Sequence, residues 1–325
     1  MKKSPDYKKS LALSLTLHAG VFGGMLALDE PNHVPDTNID TLHDIVDRIN
    51  TSAVTRHPLK GDRETIMNTY GAEVFIPLDG EINEDSANRF KRNFQNANQG
   101  YANDYFVTVS TNSGGGYVYS GYEIANEINN SPVPTRILCT QQAASMAAMI
   151  LITTANAFTR DATNDCNLML HAPYDRIEFG DKTVNLKISD YALAEELIRD
   201  NSHGQILGVP YSVINENGLY DVAYLEMTLE RIEESRRSLE TLSAAFARSI
   251  AENSRLTEHD VTLLFEKGDV YLNAFEAQFL GLIDHIEGAQ MDEINALVSK
   301  TSFCTSHPEI SLCREEPSLS QAPQF

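Results

Sequence analysis

The chain is short of positive charge: 25 lysines and arginines stand against 46 aspartates and glutamates in 325 residues, a formal net charge of −21. Nucleic acid and anionic membrane surfaces both demand a basic patch, so neither is expected as a partner. There is no CxxC pair and no HExxH motif, which removes the usual sequence grounds for a metal centre, and no cofactor is called for. A P-loop is missing, so the sequence offers no ATP site of that kind. Internal repeats are absent as well. Cysteine is scarce, at four residues. Cys139 and Cys166 lie beside apolar strand-like runs and read as buried thiols. Cys304 and Cys313, in a polar tail over residues 289–325, are close enough in sequence to close a disulfide loop in an oxidising compartment. The rest of that tail reads as disordered.

What the chain does have is apolar content for a core: 42% of its residues are hydrophobic, enough for one large domain or two small ones. Strand-like and helix-like runs alternate through the middle, which favours an α/β fold. The N-terminus stands apart. A basic "MKKSPDYKK" precedes an apolar run from about Leu11 to Leu28, interrupted by Ser14, Thr16 and His18. This is the outline of an export signal, and residues 1–28 fit either a cleaved signal peptide or an uncleaved inner-membrane anchor. The lysines before the run and Asp29 and Glu30 after it leave the body of the protein outside the cytoplasm. The expected location is therefore periplasmic, free or anchored. Residues 29–70 are acidic and polar and read as a linker or N-terminal arm.

From there "AEVFIPLDG" (72–80), "DYFVTVST" (104–111), "VPTRILC" and "CNLMLHAP" read as strands. "NEDSANRFKRNFQNAN" reads as a helix with Asn83 or Asp85 near its cap, and "AASMAAMILITTA" as a helix buried on all sides. Residues 175–224 are mixed and polar. A long amphipathic helix is expected over 222–254, then a helix capped by Thr257. "DVYLNAFEAQFLGLIDHI" closes as strand, helix and strand.

Four positions could perform acyl transfer to water. Such chemistry needs a hydroxyl, an imidazole base, a carboxylate to orient the imidazole, and N–H donors for the oxyanion. Ser145 lies near a helix start, His171 ends a strand, and Asp269 precedes one. "GGG" at 114–116 follows a strand, so backbone could approach a substrate with no side chain in the way. Singly, each has an ordinary explanation: a packed serine, a structural histidine, a turn aspartate.

Together they carry a resemblance. "NSGGGYVYSG", "QQAASMAAM", "LMLHAP" and "DVYLNAFEAQFLGLID" resemble, in order, the four motifs of the proteolytic subunit of Clp protease (ClpP). The likeness runs from about Ala72 to Glu287 (a domain over 71–288), broken by an insertion at about 175–224. It implies a ClpP/crotonase-like α/β spiral of ββα units with a protruding helical handle. It further implies a serine endopeptidase for unfolded proteins or short peptides, with Ser145 as nucleophile, His171 as general base, Asp269 as its orienting carboxylate, and the N–H groups of Gly116 and Met146 as the oxyanion hole. Homo-oligomeric rings are the family's habit, and the resemblance implies a homo-oligomer here unless the insertion or the acidic tail blocks handle packing.

Three departures matter. Gly114 stands where the family has proline, Gln141 where it has glycine, and Phe275 where it has proline. The insertion is expected to shape or cover the substrate groove, or to be a mere surface elaboration. Outside the cytoplasm neither ATP nor an unfoldase partner is at hand, so cleavage should be ATP-independent. Two other classes fit less well. A signal-peptide-peptidase-like Ser–Lys dyad would have to draw on Lys182 or Lys187. A catalytically inactive scaffold with the same fold would have no reason to keep every catalytic position. Acyl-CoA chemistry of the crotonase kind does not suit an exported protein.

Overall fold

A computed structural model describes residues 63–98, 105–154, 157–179, 182–200, 207–214, 220–227, 229–289 and 293–314. The apolar run at 11–28 and the arm to residue 62 lie outside them. The chain divides into two compact units, and the residues of interest share one of them, built from Ile49–Pro173 and Ser243–Phe325.

That unit is organised on a seven-stranded sheet. β1 (Glu73–Ile82), β2 (Phe106–Gly116), β3 (Thr135–Ala144), β4 (Ala157–Thr163) and β11 (His285–Glu287) follow one another across it, each parallel to its neighbour. β5 (Asn167–Leu170) runs parallel to the end of β3, and β10 (Val270–Asn273) lies antiparallel on β5. Parallel neighbours need crossover connections, and helices supply them. α1 (Arg63–Tyr70) leads into β1, α2 (Glu84–Ala97) joins β1 to β2, α3 (Val118–Asn129) joins β2 to β3, and α4 (Met146–Thr153) joins β3 to β4. Strands covered on both faces are buried continuously rather than at alternate residues, and Thr135–Cys139 is of that kind. Asn83 does cap α2, in a reciprocal pair with Ser86.

The branching of β3 positions everything that follows. Its first half pairs with β4 as far as Cys139 opposite Ala162. Its second half leaves β4 and pairs with β5, Gln142 opposite Asn167 through Ala144 opposite Met169. Cys139 and Cys166 sit on the two sides of that fork and form a disulfide, not the pair of buried thiols expected from the sequence. Their 27-residue separation hid a spatial proximity that only the fork creates. Deeper in the sheet the fully buried Arg136 of β3 bonds Asp161 of β4 and Glu287 of β11, both at 2.6 Å, and lies 3.6 Å from Glu73 of β1. A buried cation is tolerated only with such partners. It ties four strands together.

The second unit includes Tyr174–Leu242. Its strands β6 (Asp175–Phe179), β7 (Lys182–Leu186), β8 (Leu207–Ile214) and β9 (Tyr220–Met227) form an antiparallel four-stranded sheet in that order, with α5 (Ile188–Asp200) between β7 and β8. The backbone N–H of Lys187 is bonded to the Asp190 carboxylate at the start of α5, and the Tyr191 hydroxyl donates to Asp175. The long helix, α6, covers Leu229–Glu252 rather than beginning at 222. Residues 220–227 instead pair along their whole length with β8, because a short apolar run takes its conformation from whichever partner is present.

The remaining elements are α7 (Glu258–Lys267), α8 (Ala274–Phe279), α9 (Glu293–Ser306) and α10 (Ser311–Arg314). Thr257 caps α7 as expected, in a pair with Asp260. The C-terminal region is helical over 293–306 and 311–314 rather than disordered. Cys304 is joined to Cys313. Asp260 accepts bonds from the N–H and hydroxyl of both Thr257 and Ser311, fastening α10 to α7. Burial acts to raise this carboxyl's pKa, but those bonds outweigh it and hold the group below the usual carboxylate range.

Loop-closure entropy grows with loop length, so the two bridges should differ. Replacing both Cys139 and Cys166 by alanine should lower unfolding free energy by about 3.5 kcal/mol, and the same change at Cys304 and Cys313 by about 2.6 kcal/mol. Urea denaturation of the two double variants checks the order, and equal losses would contradict the fork's larger role.

Candidate active site

Strand register alone brings three of the singled-out positions to one place. Ala144 pairs with Met169 across β3 and β5, and the Ser145 N–H donates to the Met169 carbonyl at 2.8 Å. Val270 pairs with Leu170 across β10 and β5. One step beyond these pairs are Ser145, His171 and Asp269, with His171 in the middle strand. Adjacent strands are about 4.8 Å apart, so serine and aspartate backbones flank the histidine on either side.

Ser145 is the only non-glycine residue with positive φ among the described residues, at φ 54° and ψ −124°. Such a backbone is costly for a residue with a Cβ and persists where surrounding structure holds it. It occupies the N-cap of α4, where serine ordinarily turns its hydroxyl onto the first helical N–H groups. Here it makes no such bond. Residues Met146–Ile152 are buried throughout, so the helix is anchored by packing without the cap.

On the other side of Ser145 lies the end of β2. Ser113 pairs with Ala143. Two residues further along both strands, Gly115 meets Ser145: a Cβ built on Gly115 would fall 2.6 Å from the Ser145 Cβ and 3.0 Å from the Met146 nitrogen. Gly115 also has φ +93°. Gly116 is pressed against the Ile82 backbone, and the next amide, Tyr117 N–H, donates to the Ile82 carbonyl at 2.8 Å. Met146 is the first residue of α4, where N–H groups have no partner within the helix. The side chain of Met146 fits because α3 presents Gly121 to it.

The side chains are less fully joined than the backbones. His171 is half-buried, with Nδ1 2.5 Å from the carbonyl of Ala172. A carbonyl only accepts, so Nδ1 carries a proton. Asp269 is exposed, and its carboxylate forms no hydrogen bond among the described residues. The structure thus brings Ser145, His171 and Asp269 to neighbouring strand ends and Gly115 against Ser145, and among the described residues no hydrogen bond joins the three side chains. Lys182 and Lys187 belong to the other unit, in β7 and just after it.

The sequence of residues 60–199 matches the model of the family described as Clp protease. The matched stretch is less than half of the chain. It contains the glycine turn, Ser145 and His171, and ends before Asp269. No curated protein matches the chain. The observed mixed α/β architecture, alternating strands and helices, is consistent with the ClpP/crotonase fold. Three contributors were not singled out from the sequence. Gly115 gave no signal beyond its place in "GGG", Gly121 none beyond a glycine in a helix, and the Ala172 carbonyl is backbone and has no sequence signature.

The contrast between neighbouring glycines is testable. Gly115→Ala should leave a folded but inactive or strongly destabilised protein, because the new Cβ meets the Ser145 Cβ. Gly114→Ala should be tolerated within about 1 kcal/mol, since nothing lies within 4 Å of its Cβ position. Thermal melts of the two variants would separate them, and equal behaviour would refute the close approach.

Proposed function

We propose that this chain is a serine endopeptidase that cleaves unfolded or short peptides without ATP, using Ser145 as nucleophile and His171 as general base. The observation that carries the reading is the Ser145 turn: a serine at a helix N-cap, in a strained backbone, whose hydroxyl does not cap. The family match of residues 60–199 supports peptidase chemistry.

In the first step Ser145 Oγ attacks the scissile carbonyl while its proton passes to His171 Nε2. The carbonyl oxygen becomes an oxyanion. Amides alternate in direction along a strand, and the Tyr117 N–H is directed to Ile82 on the β1 side. The Gly116 N–H is then turned towards β3, where with the Met146 N–H it can donate to the oxyanion. The helix dipole of α4 adds favourable potential. Collapse of the tetrahedral intermediate gives the acyl-enzyme, with the imidazolium protonating the leaving amine. Water, deprotonated by the same imidazole, then frees the acid and restores Ser145.

In this scheme the Ala172 carbonyl holds the required tautomer, and Asp269 supplies negative charge to stabilise the imidazolium. Its role is electrostatic, so it is not asked to set the ring's protonation. Two disulfides among the described residues support work in an oxidising compartment, outside the cytoplasm. There the substrate must arrive already unfolded. A Ser–Lys dyad finds no comparable support.

A fluorophosphonate probe should label the wild type and leave Ser145→Ala unlabelled; an unlabelled wild type would dispose of the nucleophile. On a fluorogenic peptide His171→Ala should lose roughly 10⁴-fold or more in kcat. Asp269→Asn should lose only about 10-fold to 100-fold, because the tautomer does not depend on it. A loss at Asp269 equal to that at His171 would reverse this division of roles.

A further inference from the structure

We propose that Ser113 and Gln141 are positioning residues that hold the Gly114–Gly116 turn in its reactive shape, supplying through side-chain hydrogen bonds the stiffness that three consecutive glycines lack. The inference rests on the reading of Ser145 as nucleophile and Gly116 N–H as oxyanion donor.

A donor accelerates reaction only if it is already in place when charge develops. Glycine is the residue least able to provide that, having the largest backbone freedom to lose. Something outside the three glycines must therefore restrain them. Ser113 is buried, at 2% exposure. Its hydroxyl donates to the Gly80 carbonyl at 2.5 Å and accepts the Gly115 N–H at 3.1 Å. Gly80 has φ +80° and lies where the β1–β2 register slips, between Asp79 and Glu81. The single hydroxyl thus ties the irregular point of β1 to the glycine turn of β2. It also occupies the Gly115 N–H, so the Gly116 amide alone of that pair is offered to a substrate.

One residue earlier, the Asn112 side-chain amide donates to the Gln141 side-chain carbonyl at 3.1 Å. This bond crosses from β2 to β3 where their backbone register shifts, between Thr111 and Ser113. Gln141 is four residues before Ser145. These three side-chain bonds, two on Ser113 and one on Gln141, therefore brace the turn where the backbone ladder is interrupted. They lie at the departures from the family motif: Gly114 stands in place of proline, and Gln141 in place of glycine. The loss of one covalent restraint and the gain of one hydrogen-bonded restraint occur side by side.

The test is a cycle of Ser113→Ala and Gln141→Gly, each with and without Gly114→Pro, a position where an added Cβ meets nothing within 4 Å. Two readouts are taken: hydrogen exchange of the Gly114–Gly116 amides, and kcat and KM on a fluorogenic peptide. Ser113→Ala should speed exchange of the Gly115 amide by roughly 10-fold, the scale of one lost hydrogen bond. It should lower kcat by roughly 10-fold to 100-fold with KM within about twofold, as expected when a donor is misplaced rather than a binding contact removed. Gln141→Gly, at an exposed site that does not threaten folding, should act in the same direction by a smaller factor. Gly114→Pro should restore most of both losses. Ser113→Thr, which keeps the hydroxyl, should retain activity.

A fall in kcat with unchanged exchange, or one that proline does not rescue, would overturn the brace. Failure of the wild type to react with a fluorophosphonate would overturn the nucleophile instead. The exchange data then decide the brace alone: faster Gly115 exchange in Ser113→Ala, reversed by proline, sustains it, and unchanged exchange removes it.

Discussion

The branching of β3 is the constraint on which the rest depends. A strand that kept its β4 register would set Thr140 opposite Thr163, where β4 ends, and would leave Ala144 and Ser145 without their β5 partner. Because the strand changes partner between Cys139 and Gln142, its last three residues run along β5 instead. The disulfide from Cys139 to Cys166 spans that divergence, and Thr140 is bonded to both neighbours, donating to the Thr111 carbonyl and accepting from the Thr163 hydroxyl. The sheet is thus stapled at the point where it divides. Below the division Arg136 draws four strands together through carboxylates. Above it the strand ends are free to present side chains.

Seen from that fork, the site is a consequence of register. β2 stays with β3 through the division, so its glycine turn reaches Ser145 from one side. β5 and β10 bring His171 and Asp269 from the other. Ser145, His171 and Asp269 each sit one residue beyond a paired position, at a strand end where the backbone is ordered. Rigid scaffolding up to the last residue and freedom immediately after it is what nucleophilic catalysis requires. The positive φ of Ser145 is held in the same way, by the Met169 carbonyl on its N–H and by Met149 donating to its carbonyl.

Much of this was legible in the residues. The strands announced themselves as apolar runs, the capping pairs at Asn83 and Thr257 by residue type and spacing, and the family likeness of residues 60–199 by the order of its motifs. What escaped has physical reasons. The pairing of Cys139 with Cys166 depends on a branch in the sheet, and no local pattern encodes a branch. Residues 220–227 continue the helical pattern of 229–252 well enough to be taken with it, and only the presence of β8 makes them a strand. The C-terminal residues 293–314 are too polar to look folded, yet the Cys304–Cys313 bridge and the Asp260 carboxylate give them something to fold onto.

From the amino acids alone came the chemical inventory: a serine, a histidine, an aspartate and a run of glycines in an order that fits acyl transfer, on an α/β chain. Those features are local, being matters of residue type and short spacing. Tertiary structure alone decided that the Ser145 hydroxyl makes no cap bond to its helix, that His171 Nδ1 meets the Ala172 carbonyl, and that Ser113 bonds Gly80 and Gly115. Each of these is a relation between segments far apart in the chain or a backbone direction, and neither is written in the identity of any one residue.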